Sequence, residues 1–264
     1  MNLRKLILFI FCTACLHQPQ IAGANEAPSA AELFKSVEDR FVRLQSISYS
    51  VKRFSTSKHQ AAGDRWLFRF KSPDKVRIDY LEPYNRLIVT DGAYLLEYLP
   101  SAGKALKTEL ASLSPQKRAM VLSGAFGRVS VDGLRLGNYQ EMLRRAVKVT
   151  PARVGDNKAW LVEGANPRYQ VYIDQEKAVP LKTEIYDADG ELVLRTEASS
   201  LYQAAPGFWL PREIASTTRA PDGFYKTALS LSEVRVDEAI ADQVFRFELP
   251  AGVEIATSKQ EEKK

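Results

Sequence analysis

Residues 83–100 read PYNRLIVTDGAYLLEYLP. Two apolar runs, RLIVT and YLLEYL, flank an Asp-Gly step, which predicts a β-hairpin. Leu87, Ile88 and Val89 are consecutive, as are Tyr94, Leu95 and Leu96. A hairpin on a half-solvated sheet alternates apolar with polar; one that is apolar on both sides needs cover on both. The stretch therefore predicts a sheet on which something lies against each face.

Upstream the period of two continues through ISYSVKRF, DRWLFRFK and DKVRIDYL, joined by short turns. Trp66, Phe68 and Phe70 point one way and Leu67, Arg69 and Lys71 the other, while Val76, Ile78 and Tyr80 alternate with Arg77 and Asp79. From about residue 146 strand patterns resume, ending with VFRFELP at 244–250. About eleven sequential, hairpin-linked strands predict a mainly β (α+β) chain with one strongly curved antiparallel sheet, because open sheets of this size curl.

Two segments break this rhythm. Ser29-Ala30-Ala31-Glu32 has the form of a capping box, and Leu33, Phe34, Val37, Phe41 and Leu44 follow at helical spacing, so a helix is expected over 30–44. Between 100 and 146, Ser114 and Pro115 open a second short helix that Gly124 should stop, and NYQEMLRRA (138–146) predicts a third.

The first residues read as an export signal: Arg4 and Lys5, an apolar LILFIFCTACL, then Ala22-Gly23-Ala24 before Asn25. The expected organisation is a signal peptide at 1–24, one domain at 25–256 and a disordered tail at 257–264, with the mature protein in the periplasm. C-T-A-C resembles a lipobox ending at Cys15, but Cys12 stands where Leu is usual, so soluble secretion is the preferred reading over an outer-membrane lipoprotein. Both cysteines fall in this leader, which leaves the mature chain no disulfide and no thiol chemistry.

Little else points to catalysis. The predicted mature chain has one histidine, His59, in a turn, and Asp91, Asp187, Asp189 and Asp222 sit in turns beside or near glycine, where Asp serves the backbone. There is no GxGxxG, P-loop or GxSxG. The expectation is a non-enzyme with no catalytic residue, cofactor or metal; an enzyme acting on lipid or glycan would have His59, Asp91 and Asp187 as its candidates. The formal charge of +5 is interspersed, without a basic block, which argues against nucleic acid as a partner.

Pro73, Val76-Ile78-Tyr80, Pro83, Leu87-Ile88-Val89, Thr90-Asp91-Gly92, Leu95-Leu96 and Tyr98-Leu99-Pro100 together resemble a run found in the outer-membrane lipoprotein carrier family, the LolA-like periplasmic proteins and their anchored LolB-like receptors. Phe245-Arg-Phe247-Glu-Leu-Pro250-Ala-Gly252-Val253 is similar to that family's closing strand, and leader, helix, sheet, helical insertion and returning sheet follow its order. The resemblance implies an incomplete β-barrel whose concave apolar face, covered by helices, shelters acyl chains of a lipoprotein or other lipid on its way to the outer membrane. A chain of ~16 carbons costs on the order of 13 kcal/mol to expose, at ~0.8 kcal/mol per CH₂. It further implies a monomer that meets an inner-membrane donor complex and an outer-membrane acceptor.

By residue match the cavity candidates are Val76, Ile78, Tyr80, Leu87, Val89, Leu96 and Tyr98, joined by Phe68 and Phe70. Leu33, Val37 and Phe41 would face them from the first helix, and Met120, Leu122, Met142 and Leu143 from the insertion. Ile88 and Leu95 then fall on the opposite face, under a loop or the insertion. The chain departs from the family at Ser72, where the best-known carriers have an arginine that helps hold the lid closed, and at Ile78, where a Trp is usual. The alternative function is a regulatory or sensor module of the same fold that contacts a membrane-bound partner.

Overall fold

The computed structural model describes residues 27–126 and 145–257. The leader, most of the tail and most of the third expected helix lie outside the described residues.

The capping box forms as expected. The Ser29 amide donates to Glu32 Oε2 at 2.7 Å and the Glu32 amide to Ser29 Oγ at 3.2 Å, opening α1 (Ala30–Val42). A first meander follows: β1 (Ser46–Thr56), β2 (Ala61–Lys71), β3 (Lys75–Glu82), β4 (Arg86–Thr90), β5 (Tyr94–Leu99) and β6 (Lys104–Glu109). Then comes α2 (Pro115–Phe126), with Ser114 Oγ accepting from the Lys117 amide as its N-cap. The helix runs through Gly124 instead of stopping there.

A second meander comprises β7 (Lys148–Val154), β8 (Asn157–Ala165), β9 (Arg168–Asp174), β10 (Pro180–Tyr186), β11 (Leu192–Ala205), β12 (Phe208–Ala220) and β13 (Gly223–Val236). A 3-10 turn, Asp242–Phe245, and β14 (Glu254–Thr257) end the described chain.

β1 and β13 join the meanders edge to edge, from Ile47 opposite Val236 to Thr56 opposite Lys226. The result is one open sheet of fourteen strands in the order β14-β6-β5-β4-β3-β2-β1-β13-β12-β11-β10-β9-β8-β7, and only the β14–β6 pairing is parallel. The expected count of eleven is thus corrected to fourteen. β6 and β14 escaped the reading because they are short and largely polar or exposed. VFRFELP forms no strand: it begins in the 3-10 turn and continues without a ladder. Among the described residues no helix is long and apolar enough to cross a membrane.

One face of the first meander carries Tyr49, Trp66, Phe68, Ile78, Ile88 and Leu95. This aromatic face continues into the second meander, because the pairs Val51–Leu231, Leu229–Ile214, Ile214–Ala198, Thr196–Thr183 and Thr183–Val171 lie directly opposite one another. Near the far end, Leu33 and Val37 of α1 pack with Val162, Tyr169, Val171 and Ile173. The Tyr169 ring lies over its cross-strand partner Gly164 so closely that an added Cβ would stand 2.0 Å from it. The reverse face of β4–β6 bears a third cluster, Leu87, Val89, Leu96 and Ala105 under Phe245.

Candidate functional site

The aromatic face of β1–β5 is built by register. Phe68 stands opposite both Tyr49 and Ile78, and Ile78 opposite Ile88. Tyr49 and Phe68 stack at 4.7 Å, and Trp66 and Tyr80 approach to 5.9 Å. Ile78 is fully buried, whereas Phe68, Phe70, Val76 and Tyr80 are only partly so. Val121 and Leu122 of α2 pack against this cluster from one side, and Tyr202 and Leu229 extend it into the second meander. Large half-buried side chains spread over adjacent strands form an apolar surface that is not sealed.

Charged groups bound it at one end. Arg53 pairs with Asp64 and lies 5.3 Å from the Trp66 ring centroid; Arg86 pairs with Glu97 and lies 5.9 Å from that of Tyr80. Donating hydrogen bonds to the Asp64 carboxylate raises the Arg53 pKa, and burial raises that of the Tyr80 hydroxyl against the pull of Arg86 and Arg53. At the other end Arg118 ties α2 to two turns, donating to the Asp74 carboxylate and, at 2.9 Å, to the Gly92 carbonyl. Gly92 has φ +95° and its Hα side touches Asp74, where a Cβ would come within 2.6 Å of the carboxylate. Ser72 donates its amide to the Gln45 carbonyl at 2.8 Å.

α1 is held by Arg40, which donates to the Ala178 carbonyl at 2.7 Å and to that of Trp209, with the Phe208 ring 5.5 Å away. Burial lowers its pKa to about 10, against the opposing effect of Asp174.

Not all expected lining residues meet. Phe68, Phe70, Val76, Ile78, Tyr80 and Leu122 share the aromatic face. Leu87, Val89, Leu96 and Tyr98 are corrected to the reverse face: Ile88 is the residue opposite Ile78, so its neighbours Leu87 and Val89 point the other way. Ile88 and Leu95 move correspondingly to the aromatic face, where residues of the insertion do pack. Leu33 and Val37 face β8 and β9, not β3–β5, since α1 docks on the far half of the sheet. Phe41 and Met120 fall in α1 and α2 with side chains outside the described part, and Met142 and Leu143 lie outside the described residues. Sequence reasoning missed Arg40, Arg53, Arg86 and Arg118; an arginine within an apolar register, as at Arg53, is the one signal that pointed to them.

His59 stands 3.5 Å from Asp222 across two hairpin tips, both well exposed. A cleft of about 300 Å³ lies at β1, β2 and β13, bounded by Ser48, Leu67, Arg69, Glu233 and Arg235 and also by Tyr49 and Phe68 of the aromatic face. It sits where the β1–β13 register slips between Ser48 and Ser50 and Glu233 takes φ 54°.

Among solved structures, a LolA superfamily protein from Nitrosomonas europaea shares 16% identity at TM-score 0.52, covering 84% of this chain and 99% of its own. An outer membrane lipoprotein-sorting protein domain from Vibrio parahaemolyticus shares 15% at TM-score 0.55, covering 82% and 97%. A DUF1329 family protein from Desulfovibrio piger shares 13% at TM-score 0.56, again covering 82% and 97%. The chain therefore has a LolA-like fold. A family model described only as "Uncharacterized protein" matches residues 152–248. No curated protein matches the sequence.

Proposed function

We propose that the protein is a periplasmic carrier whose aromatic face shelters the acyl chains of a lipoprotein or other lipid for transfer towards the outer membrane. The half-buried Phe68, Phe70, Val76 and Tyr80 carry this reading. A plain core would close over side chains of that size, while a binding face keeps them within reach of a ligand. The LolA-like fold supports it. Arg40 and Arg118 donate from the two helices to carbonyls and a carboxylate of the sheet and its turns, contacts that a helix can leave without unzipping a ladder.

The test is uptake of a soluble fluorescent fatty acid and of an acylated peptide by the purified protein, with native mass spectrometry for copurified lipid. Phe68→Asp should weaken uptake about tenfold or more, since it places a carboxylate against the acyl chain. Circular dichroism would check that the variant is folded. A folded protein that takes up neither probe and copurifies with no lipid would sink the proposal. Retention of one membrane protein without lipid dependence would favour the regulatory module instead.

A further inference from the structure

We propose that one end of the sheet is a membrane-docking edge that rests on an anionic lipid surface. Tracing strand directions places the turns at 57–60, 83–85 and 221–222 and the end of β5 at the same end. Phe54, Tyr84, Leu99, Phe224 and Tyr225 are exposed there, Tyr84 to 73% and Phe224 to 56%. Among the described residues, Tyr94 is the one large exposed apolar side chain at the opposite end. Such clustering is not the scatter of single apolar groups that a soluble surface tolerates.

The charges point to an anionic partner. Near these side chains Asp64 pairs with Arg53, Glu82 with Arg65 and Glu97 with Arg86. Asp222 faces His59, which matches its charge only when the imidazole is protonated, and Asp189 and Glu191 of the adjoining turn have no cation partner among the described residues. Lys52, Lys58 and Lys226 are exposed and have no carboxylate partner among the described residues. The unpaired cations therefore stand between the aromatic groups of β1 and β13, with Lys226 two residues from both Phe224 and Ala228, the partner of Phe54, and the unpaired carboxylates lie one turn further along.

Geometry selects a bilayer over a protein. Phe54 and Phe224 lie on the reverse face, Tyr225 on the aromatic face beside Arg53, and Tyr84 in a turn between strands. A protein would have to wrap both faces of the sheet to reach them all. A lipid surface accepts a fringe of side chains along one edge, and Phe54, two residues below the end of β1, lies ~7 Å from it, within the depth that interfacial aromatics reach.

This inference does not depend on what the aromatic face binds. The test is co-sedimentation of the full protein with phosphatidylcholine vesicles, with and without phosphatidylglycerol. The protein should prefer the anionic vesicles and be released by salt. Phe54→Ser with Phe224→Ser should lower partitioning about tenfold or more, and Lys58→Glu with Lys226→Glu should remove the preference for phosphatidylglycerol, while uptake of the soluble fatty acid stays unchanged in both. Equal sedimentation of wild type and the double Ser variant, or no binding to protein-free vesicles at low salt, would overturn the edge and leave the carrier reading intact. Lost fatty-acid uptake with vesicle binding preserved would do the reverse.

Discussion

The reverse face of the sheet is closed in two different ways at its two ends. Over β4–β6 it is apolar, and the chain's own C-terminal segment roofs it: Phe245 is 2% exposed, and Ile240, Val244, Phe247, Leu249 and Val253 pack around it. Polar groups fix the roof at its margins. Lys71 and Lys75 both reach Asp242, Arg77 donates to the Val244 carbonyl at 3.0 Å, and the Phe247 ring lies between Arg77 and Tyr98. Over β7–β11 the same face has no apolar cluster among the described residues. Lys148, Glu163, Gln170, Glu184 and Arg195 stand directly opposite one another in a row across five strands. Gln170 donates to Glu163 at 3.2 Å and Arg195 to Glu184 at 2.9 Å, and Lys182 lies 3.1 Å from Glu184. Glu184 is thereby buried without a roof, its charge matched by two cations that reach solvent. A strand with two apolar faces requires a second layer; a strand with a matched polar row does without one.

The sharpest way to break this comparison is to remove the centre of each closure. Phe245→Ala should cost about 3–5 kcal/mol, as a large core aromatic does, and leave Leu87, Val89 and Leu96 under a hole. Glu184→Ala should cost less, about 1–3 kcal/mol, because Arg195 and Lys182 can turn to water. Urea denaturation of the two variants measures both. An equal or larger loss at Glu184 would mean that the polar row, and not the roof, holds the sheet.

The two closures were not equally legible from the residues. Alternation at Trp66-Phe68-Phe70 and Val76-Ile78-Tyr80 marks one face because polar partners such as Arg69 and Asp79 label the other. At Leu87-Ile88-Val89 no polar residue labels a face, so the hairpin could be seen while its register could not, and one step of register exchanges the two sides. The apolar stripe of α1 shows that the helix must bury a face, but not that its partners are Val162 and Val171, over a hundred residues later. Phe245 and Phe247 alternate like a strand, yet they serve a segment that crosses the sheet and pairs with nothing until β14. The four arginines at the margins of the aromatic face act through carbonyls, rings and single carboxylates brought together by folding, and short-range pattern does not encode such meetings.

The mildest test concerns the margin of the roof. Hydrogen bonds from Lys71 and Lys75, at 2.6 and 2.7 Å, hold the Asp242 carboxyl at about 2, below its ordinary 3.8. A carboxyl whose folded pKa is depressed contributes stability that is complete above the ordinary value and is lost as pH falls through the folded one. The clamp should therefore be constant from neutral pH down to about 4 and should fail between there and about 2. Because Asp242 is exposed, the effect is local: the roof loosens at its start while Phe245 stays seated. Amide exchange reports it, since the Val244 and Arg246 amides are hydrogen-bonded within the turn that Asp242 opens. Their protection relative to that of Val171 in β9 should drop between pH 5 and pH 2.5, and Asp242→Asn should give the lowered ratio at both. An unchanged ratio in the wild type would show that apolar burial alone seats the roof, which would make the two ends of the reverse face more alike than their charges imply.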